Sequence, residues 1–331
     1  MIICVTPNVA VDRTYVVPSI QLGMVLRSSQ TIVAAGGKGL NVARAVAVLG
    51  DVPLVMGILG GRSGELVAEL AAKEDLTAHW SWAGGETRNC AILVGEEGGP
   101  ETVINDRGGK ISISEWLQFI QDIVAVVEGQ EPAHLPQVDH RPISTGMPIP
   151  TTGLHTKAVC ICGSLPPGTP PHAPADLVEA LLATGTAVWV DSSGAALSHA
   201  LEAKPTGLKI NDGEAGTLLG QRLAYLDDAH EAARTIRRQG VAYVIITLGA
   251  RGAVLHSPQG EYHLRAPHVQ SISAVGSGDA FLAGFLVAHT RGLSDQSALA
   301  WAVAAGAANT LIPGGGIFAR ADFDDLLAQL Q

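Results

Sequence analysis

Asp279 closes the segment Ala274-Val-Gly-Ser-Gly-Asp279 and leads into a helix-like run with Phe281, Leu282, Phe285 and Leu286 on one face. The two glycines before it, Gly276 and Gly278, allow a tight turn and the close approach of a ligand to bare backbone. The start of the helix offers free N–H groups and a partial positive charge, which suit an anion. An acid beside an anion site is costly unless it has a task. One such task is to take the proton from a hydroxyl that attacks a phosphoryl group. Asp279 therefore reads either as a helix cap, a position Asp favours, or as a general base beside an anion hole made by Gly276, Ser277 and Gly278.

A second chemical stretch lies near the start, at Ala35-Gly-Gly-Lys-Gly-Leu-Asn-Val-Ala-Arg44. A glycine cluster opens a helix whose Val42, Ala45, Val46 and Leu49 share one face. Lys38 and Asn41 stand in its first turn. The spacing is neither GxxxxGK[ST] nor GxGxxG, so a polyhydroxy ligand approaching at Gly37, with Lys38 free to meet a phosphate, is the better physical reading. Asp12 lies in a strand pattern just before this stretch. It is either an edge charge or an acceptor for ligand hydroxyls. Arg27 and Arg88 are isolated charges within strand-like runs.

These residues need a scaffold, and the 331-residue chain can supply one large α/β domain. Hydrophobic residues make up 47% of it and charged ones 16%, enough for a sizeable core. The formal net charge of −10 argues against general binding to nucleic acid or an anionic membrane. Any anionic ligand must meet local positive charge. The four cysteines sit in apolar strand-like runs and read as buried free thiols. The N-terminus lacks a basic, then long apolar, leader pattern, and 298–312 is too short and glycine-broken for a membrane span. A cytosolic protein is expected.

Strand and helix patterns alternate from the first strand at 2–6 through 52–75, and again from Ala158 to the C-terminal helix at 322–330. This implies a mainly parallel sheet covered on both faces. Two stretches break the alternation. The segments 9–34 (continuous strand from Gly23 through Arg27 to Val33 included) and 77–105 are β-rich, which suggests a separate small sheet over the α/β body. Helix-like 114–128 is followed by 129–156, rich in Pro, His and Gly, which reads as a long surface loop. Its histidines lack metal-ligand spacing.

Taken together, the chain resembles the PfkB (ribokinase-like) carbohydrate kinases. The resemblance rests on Gly36-Gly-Lys-Gly-Leu-Asn-Val-Ala-Arg44 and Val275-Gly-Ser-Gly-Asp-Ala280. Between them, in order, come Gly163-Ser-Leu-Pro-Pro-Gly168, Lys209-x-Asn211-x-x-Glu214 and Thr247-Leu-Gly-x-x-Gly252. The opening Thr6-Pro-Asn-x-Ala-x-Asp12-Arg-Thr14 and Lys38 make it most similar to the phosphosugar branch, which phosphorylates ketohexose phosphates with ATP and Mg²⁺. That branch includes 1-phosphofructokinase, the first choice here, tagatose-6-phosphate kinase and a 6-phosphofructokinase.

The resemblance implies a single three-layer α/β/α domain over 1–331 with a small β-sheet lid from about 9–34 and 84–105, and a homodimer formed through that lid. Asp279 would be the base and Gly276–Gly278 the anion hole. Asp12, Gly37 and Asn41 would hold the sugar, and Arg27, Lys38 and Arg88 the phosphate already on it. Lys209, Thr247, Gly249 and Gly252 would lie on the ATP side, with Asn309 beside the adenine. Asn211 and Glu214 would organise Mg²⁺ through water, although Glu214 also reads as an ordinary first-turn acid. Two departures stand out: the 129–156 segment is longer than the family's connector, and Val25 replaces a lysine that some members carry two residues before the arginine. The non-enzyme alternative is a sugar-phosphate sensor on a dead kinase fold, which the intact Gly-Ser-Gly-Asp and NxxE motifs disfavour.

Overall fold

The computed structural model describes residues 1–20, 23–96, 101–132 and 155–331. The chain opens with β1 (Ile2–Thr6), then β2 (Ala10–Val17) and β3 (Gln30–Gly36). Next come α1 (Lys38–Val48), β4 (Pro53–Leu59), α2 (Gly61–Lys73) and β5 (Ala78–Trp82). The strands β6 (Arg88–Gly95) and β7 (Thr102–Asn105) precede α3 (Ile113–Val127). Alternation resumes with β8 (Ala158–Cys162), α4 (Ala173–Ala183), β9 (Val188–Asp191), α5 (Gly194–Glu202) and β10 (Gly207–Asn211). Then follow α6 (Asp212–Leu219), α7 (Leu226–Arg238), β11 (Tyr243–Thr247) and the hairpin β12 (Ala253–Ser257) and β13 (Gly260–Leu264). Three helices end the chain: α8 (Ser277–Thr290), α9 (Asp295–Asn309) and α10 (Arg320–Ala328).

Nine strands form one sheet in the order β13-β12-β11-β10-β9-β8-β1-β4-β5. Pairing is parallel from β5 across to β11, and only the β11–β12 and β12–β13 pairs are antiparallel. Alternate side chains of a strand point to opposite faces, and β1 shows what this does. Ile2 and Cys4 enter a core with α1, α2, α8, α9 and α10, whereas Ile3 and Val5 enter a second core with helices α3 to α7. Helices therefore cover both faces, as the alternating sequence predicts. The sequence order steps outward to β4 and β5 on one side of β1 and to β8, β9, β10 and β11 on the other. The crevice at the carboxyl ends of β1 and β8 is thus a topological switch point, the usual ligand position in such sheets. All four cysteines are buried and unpaired, and no described helix is long and apolar enough to cross a membrane.

The two β-rich stretches form a separate four-stranded sheet, β3-β2-β6-β7. Asp12 stands opposite Cys90, and Cys90 opposite Asn105, so these three share one face. Two sequence expectations need correction. The residues from Gly23 to Ser29 are not strand: Met24 and Val25 are 64% and 82% exposed, and pairing begins only where Gln30 meets Val16. Strand β5 belongs to the large sheet, as the partner of β4, because its Ala78 and Trp80 are needed to close the first core. The segments 194–202 and 226–238 are helices that the apolar pattern alone did not announce. Most of the long 129–156 segment lies outside the described residues.

Candidate active site

Helix α8 is buried along nearly its whole length, with Asp279 through Ala288 all covered, so its N-terminus is fixed deep at the switch point. Gly276 has φ +76°, and a Cβ there would stand 2.3 Å from Gly315; no other residue type fits this turn. The Asp279 and Ala280 amides turn back onto the Gly276 carbonyl, and the Ser277 amide onto Ala274. Among the described residues, the Gly276 and Gly278 amides have no protein acceptor. These are two free donors at a helix start, the arrangement that binds an anion.

Asp279 lies beside them, 5% exposed. Burial raises its carboxyl to about 6, against the opposing pull of the Lys38 charge. Its Oδ2 accepts a 2.8 Å hydrogen bond from Asn41 Nδ2. Asn41 is itself held, since Arg44 Nη1 donates to its Oδ1 at 2.9 Å while Arg44 also grips Glu74 and the Ala35 carbonyl. This chain fixes which way the Asn41 amide faces. A group meant only to cap a helix needs no such orienting partner from 238 residues away.

A second carboxylate, Asp191, was not singled out in the sequence. It ends β9 with no exposed surface and is clamped by two cations, Lys38 Nζ at 2.7 Å and Lys209 Nζ at 2.8 Å. Burial opposes its ionisation, but Lys209 and Lys38 outweigh this and hold its pKa below the ordinary value. Burial likewise opposes the Lys38 charge, yet Asp191 and then Asp279 raise its pKa. Lys38 is thus locked as a cation, with its side chain still 36% exposed toward the crevice. Lys209, expected on the nucleotide side, is buried and fixes Asp191, with its ammonium group close to Gly278, which lines the second cavity.

Two cavities meet at Gly276–Asp279. The first, about 290 Å³, runs under the small sheet and is lined by Asp12, Gly37, Lys38, Asn41, Arg88 and Asp279, among others. The inner face of the sheet, with Cys90, Ile92, Val103 and Asn105, forms its roof. Burial raises the Asp12 carboxyl, partly offset by Arg88 and Arg44. Arg88 is aimed by bonds from Nε to the Asn8 carbonyl and from Nη1 to the Asp106 carbonyl, both 3.2 Å. Arg27, expected with these residues, lies on the exposed segment before β3 and does not line the cavity.

The second cavity, about 470 Å³, is lined by Thr247, Gly249, Gly252, Ser277 and Gly278, with a largely apolar far wall that includes Phe281, Val303 and Ala307. Asn309 is not on that wall, which corrects its expected place beside an adenine. It is fully buried, donating to the Val275 carbonyl at 2.8 Å and accepting from the Gly316 amide at 2.7 Å. Its work is to hold the turn before Gly276 against the Gly314–Gly316 loop.

Asn211 and Glu214 form a capping box at the start of α6, with bonds of 2.7 and 2.8 Å. The box engages Asn211 Oδ1 and one Glu214 oxygen, leaving the other carboxylate oxygen free. An oxygen-only donor set with one free carboxylate suits Mg²⁺, which keeps several waters and completes its shell with phosphate oxygens. The residues present therefore fit the ion through water, and less well by direct ligation.

Comparison with known proteins agrees with this geometry. The family model described as pfkB family carbohydrate kinase matches residues 3–131 and 154–320. Among solved structures, phosphofructokinase-2 from Escherichia coli in complex with fructose-6-phosphate is 27% identical, with a TM-score of 0.83, covering 99% of this chain and 98% of that one. A possible 1-phosphofructokinase from Thermotoga maritima shares the fold at 21% identity, TM-score 0.82, covering 99% and 97% of the two chains. So does Arabidopsis thaliana ribokinase, solved with ribose and ATP, at 20% identity and TM-score 0.72, covering 98% of each. With the family match spanning most of its length and the carboxylate, anion turn and paired cavities in place, the chain belongs to the pfkB family of carbohydrate kinases.

Proposed function

We propose that this kinase transfers the γ-phosphoryl group of ATP to a hydroxyl of a ketohexose phosphate, with fructose 1-phosphate as the first candidate and fructose 1,6-bisphosphate as the product. One observation carries the reading: a buried carboxylate oriented by Asn41 lies where a cation-lined cavity and a second, more apolar cavity meet at two free backbone amides. The sugar lies in the first cavity, its hydroxyls on Asp12 and Asn41 and its phosphate on Arg88 and Lys38. ATP lies in the second, its phosphates toward Thr247, Gly249 and Gly276–Gly278. The acceptor oxygen bonds to the γ-phosphorus, its proton passes to the Asp279 carboxylate, and the bond to the β–γ bridging oxygen breaks to release ADP. Backbone amides already aimed at the transferring group stabilise its charge without reorganisation. Mg²⁺, held through water by Glu214 and Asn211, would neutralise phosphate charge.

The acidic protein and its anionic substrate are reconciled locally. Lys38 keeps its charge because Asp191 is itself locked, so cations at the site do not depend on net charge. A 6-phosphofructokinase is the second reading, favoured by the likeness to the E. coli phosphofructokinase-2 complex. Coupled ADP release with fructose 1-phosphate, fructose 6-phosphate, tagatose 6-phosphate and fructose separates these. Fastest turnover with fructose 1-phosphate supports the first reading, and equal turnover of fructose would rule out a phosphate subsite.

The small sheet also serves as a dimer contact in this reading. Ile32 is 42% exposed and stands opposite Thr14, in line with the cavity-roofing residues, and Met24 and Val25 in the segment before β3 are also exposed. Two copies covering these side chains would close both roofs. Sedimentation velocity should show a dimer; a monomer at assay concentration removes this part of the proposal.

A further inference from the structure

Helix α7 lies over the β12–β13 hairpin, and three chemically related side chains meet there. His256 stands opposite Glu261 in the antiparallel ladder, and His230 reaches down from α7. His230 Nδ1 is 2.8 Å from His256 Nε2, and His256 Nδ1 is 3.4 Å from Glu261 Oε1. One ligand atom from each residue lies within 4.8 Å of the other two. His256 is 1% exposed, so the cluster has a buried floor and a partly open rim. Arg234, one turn after His230, holds Glu261 with bonds of 2.9 and 2.8 Å and keeps the carboxylate in place.

We propose that His230, His256 and Glu261 form a binding site for one divalent transition ion of the zinc class, which pins α7 to the hairpin and is separate from the Mg²⁺–ATP site. Two imidazoles and a carboxylate, with a fourth position left to water, are a common ligand set for such an ion. Glu261 Oε1 faces His256 Nδ1, which favours the tautomer that leaves Nε2 free to ligate, so the oxygen offered to the ion is Oε2. Burial lowers the pKa of His256 to about 4 and lowers that of His230 as well, so both rings are neutral at neutral pH. His230 need only move its proton from Nδ1 to Nε2, with no net proton released. Zinc–nitrogen bonds of roughly 2.0–2.1 Å at a tetrahedral angle would part the two nitrogens by only about 0.5 Å more than at present.

The site lies across the sheet from the nucleotide cavity. Val254, on the same strand face as His256, packs in the core that holds Ala229, Ala233 and Ile236 of α7. Ala253 and Leu255 face the other core with α8 and α9, where that cavity opens. Occupancy should therefore leave the catalytic residues unaltered and act on the stability of the sheet edge. A competing cluster, His172, His199 and Glu202, is more exposed and has no buried ligand.

The test is zinc calorimetry and cobalt absorption on chelator-treated full-length protein, comparing wild type with His230→Ala, Glu261→Gln and His199→Ala. The expected result is one site per chain in the wild type and in His199→Ala. In His230→Ala affinity should fall by more than the roughly 10–100-fold seen for loss of an outer partner. Zinc should raise the Tm of the wild type but not of His230→Ala, while turnover of Mg²⁺–ATP by His230→Ala is retained. Wild-type zinc affinity in both His230→Ala and Glu261→Gln, or a site lost only in His199→Ala, would overturn the assignment.

Discussion

The cavity under the small sheet takes its walls from side chains, whereas the larger cavity beyond Gly278 takes them mainly from backbone and small or apolar residues. Asp12, Lys38, Asn41 and Arg88 come from three different elements and converge with Asp279, from a fourth, on about 290 Å³. The other is bounded by Thr247, Gly249, Gly252, Gly306 and Ala307, with apolar side chains that include Phe281, Val303, Val269 and Pro267 closing it. Directional side chains can discriminate between sugars that differ at one hydroxyl, because a buried polar group left unpaired is costly. A smooth apolar slot with free amides at one end suits a ligand common to many reactions. The division teaches where specificity resides: changes to the first cavity should alter which acceptor is used, and changes to the second should alter nucleotide affinity.

The largest expected effect lies where the two cavities touch. Asp279→Asn keeps the shape and a partner for Asn41 but cannot accept the hydroxyl proton, so kcat should fall about 10²–10⁴-fold. A buried acid whose folded-state pKa is raised loses stability on ionising, a cost fully present above about 6 and gone below the ordinary 3.8. The amide variant should therefore melt at the wild-type temperature or above it. A folded variant that keeps more than about a tenth of wild-type kcat would leave Asp279 only a first-turn acid.

Arg88→Ala probes the first cavity alone. A charged hydrogen bond contributes roughly 1.5–3 kcal/mol, so KM for the sugar phosphate should rise from about tenfold to over a hundredfold while KM for ATP stays within about threefold. Equal increases for both substrates would erase the division between the cavities. The smallest effect is in pH. The base must be ionised, so log kcat/KM should fall with unit slope as pH drops below about 6, the raised value of Asp279. A limb that begins only near pH 4 would mean that a different group takes the proton.

Much of the first cavity was legible because its residues sit in short motifs. The glycines at 36–37 and the turn at 276–279 announce themselves by type and spacing, and the small sheet by two β-rich stretches too short to bury their own faces. What escaped depends on contacts between distant elements. Asp191 looks like any strand-ending residue until Lys38, 153 positions earlier, and Lys209 are seen on its two oxygens. Arg44 gives no sign from sequence that it steers Asn41. Asn309 is misleading for the opposite reason, since a polar residue in an alanine-rich helix suggests a ligand, and its true partners are the backbone at Val275 and Gly316. Helix α7 could have been found: Ala229, Ala232, Ala233 and Ile236 mark one buried face at helical spacing, but alanines carry that signal weakly.

The most direct test of the shared turn is a structure of the ternary complex with a non-transferable ATP analogue, Mg²⁺ and fructose 1-phosphate. The account predicts one sugar hydroxyl within about 2.6–3.2 Å of an Asp279 oxygen. It also places the existing phosphate on Arg88 and Lys38, and the γ-phosphate against the Gly276 and Gly278 amides. A sugar phosphate bound with its phosphate at that turn, or with every hydroxyl out of reach of Asp279, would contradict it.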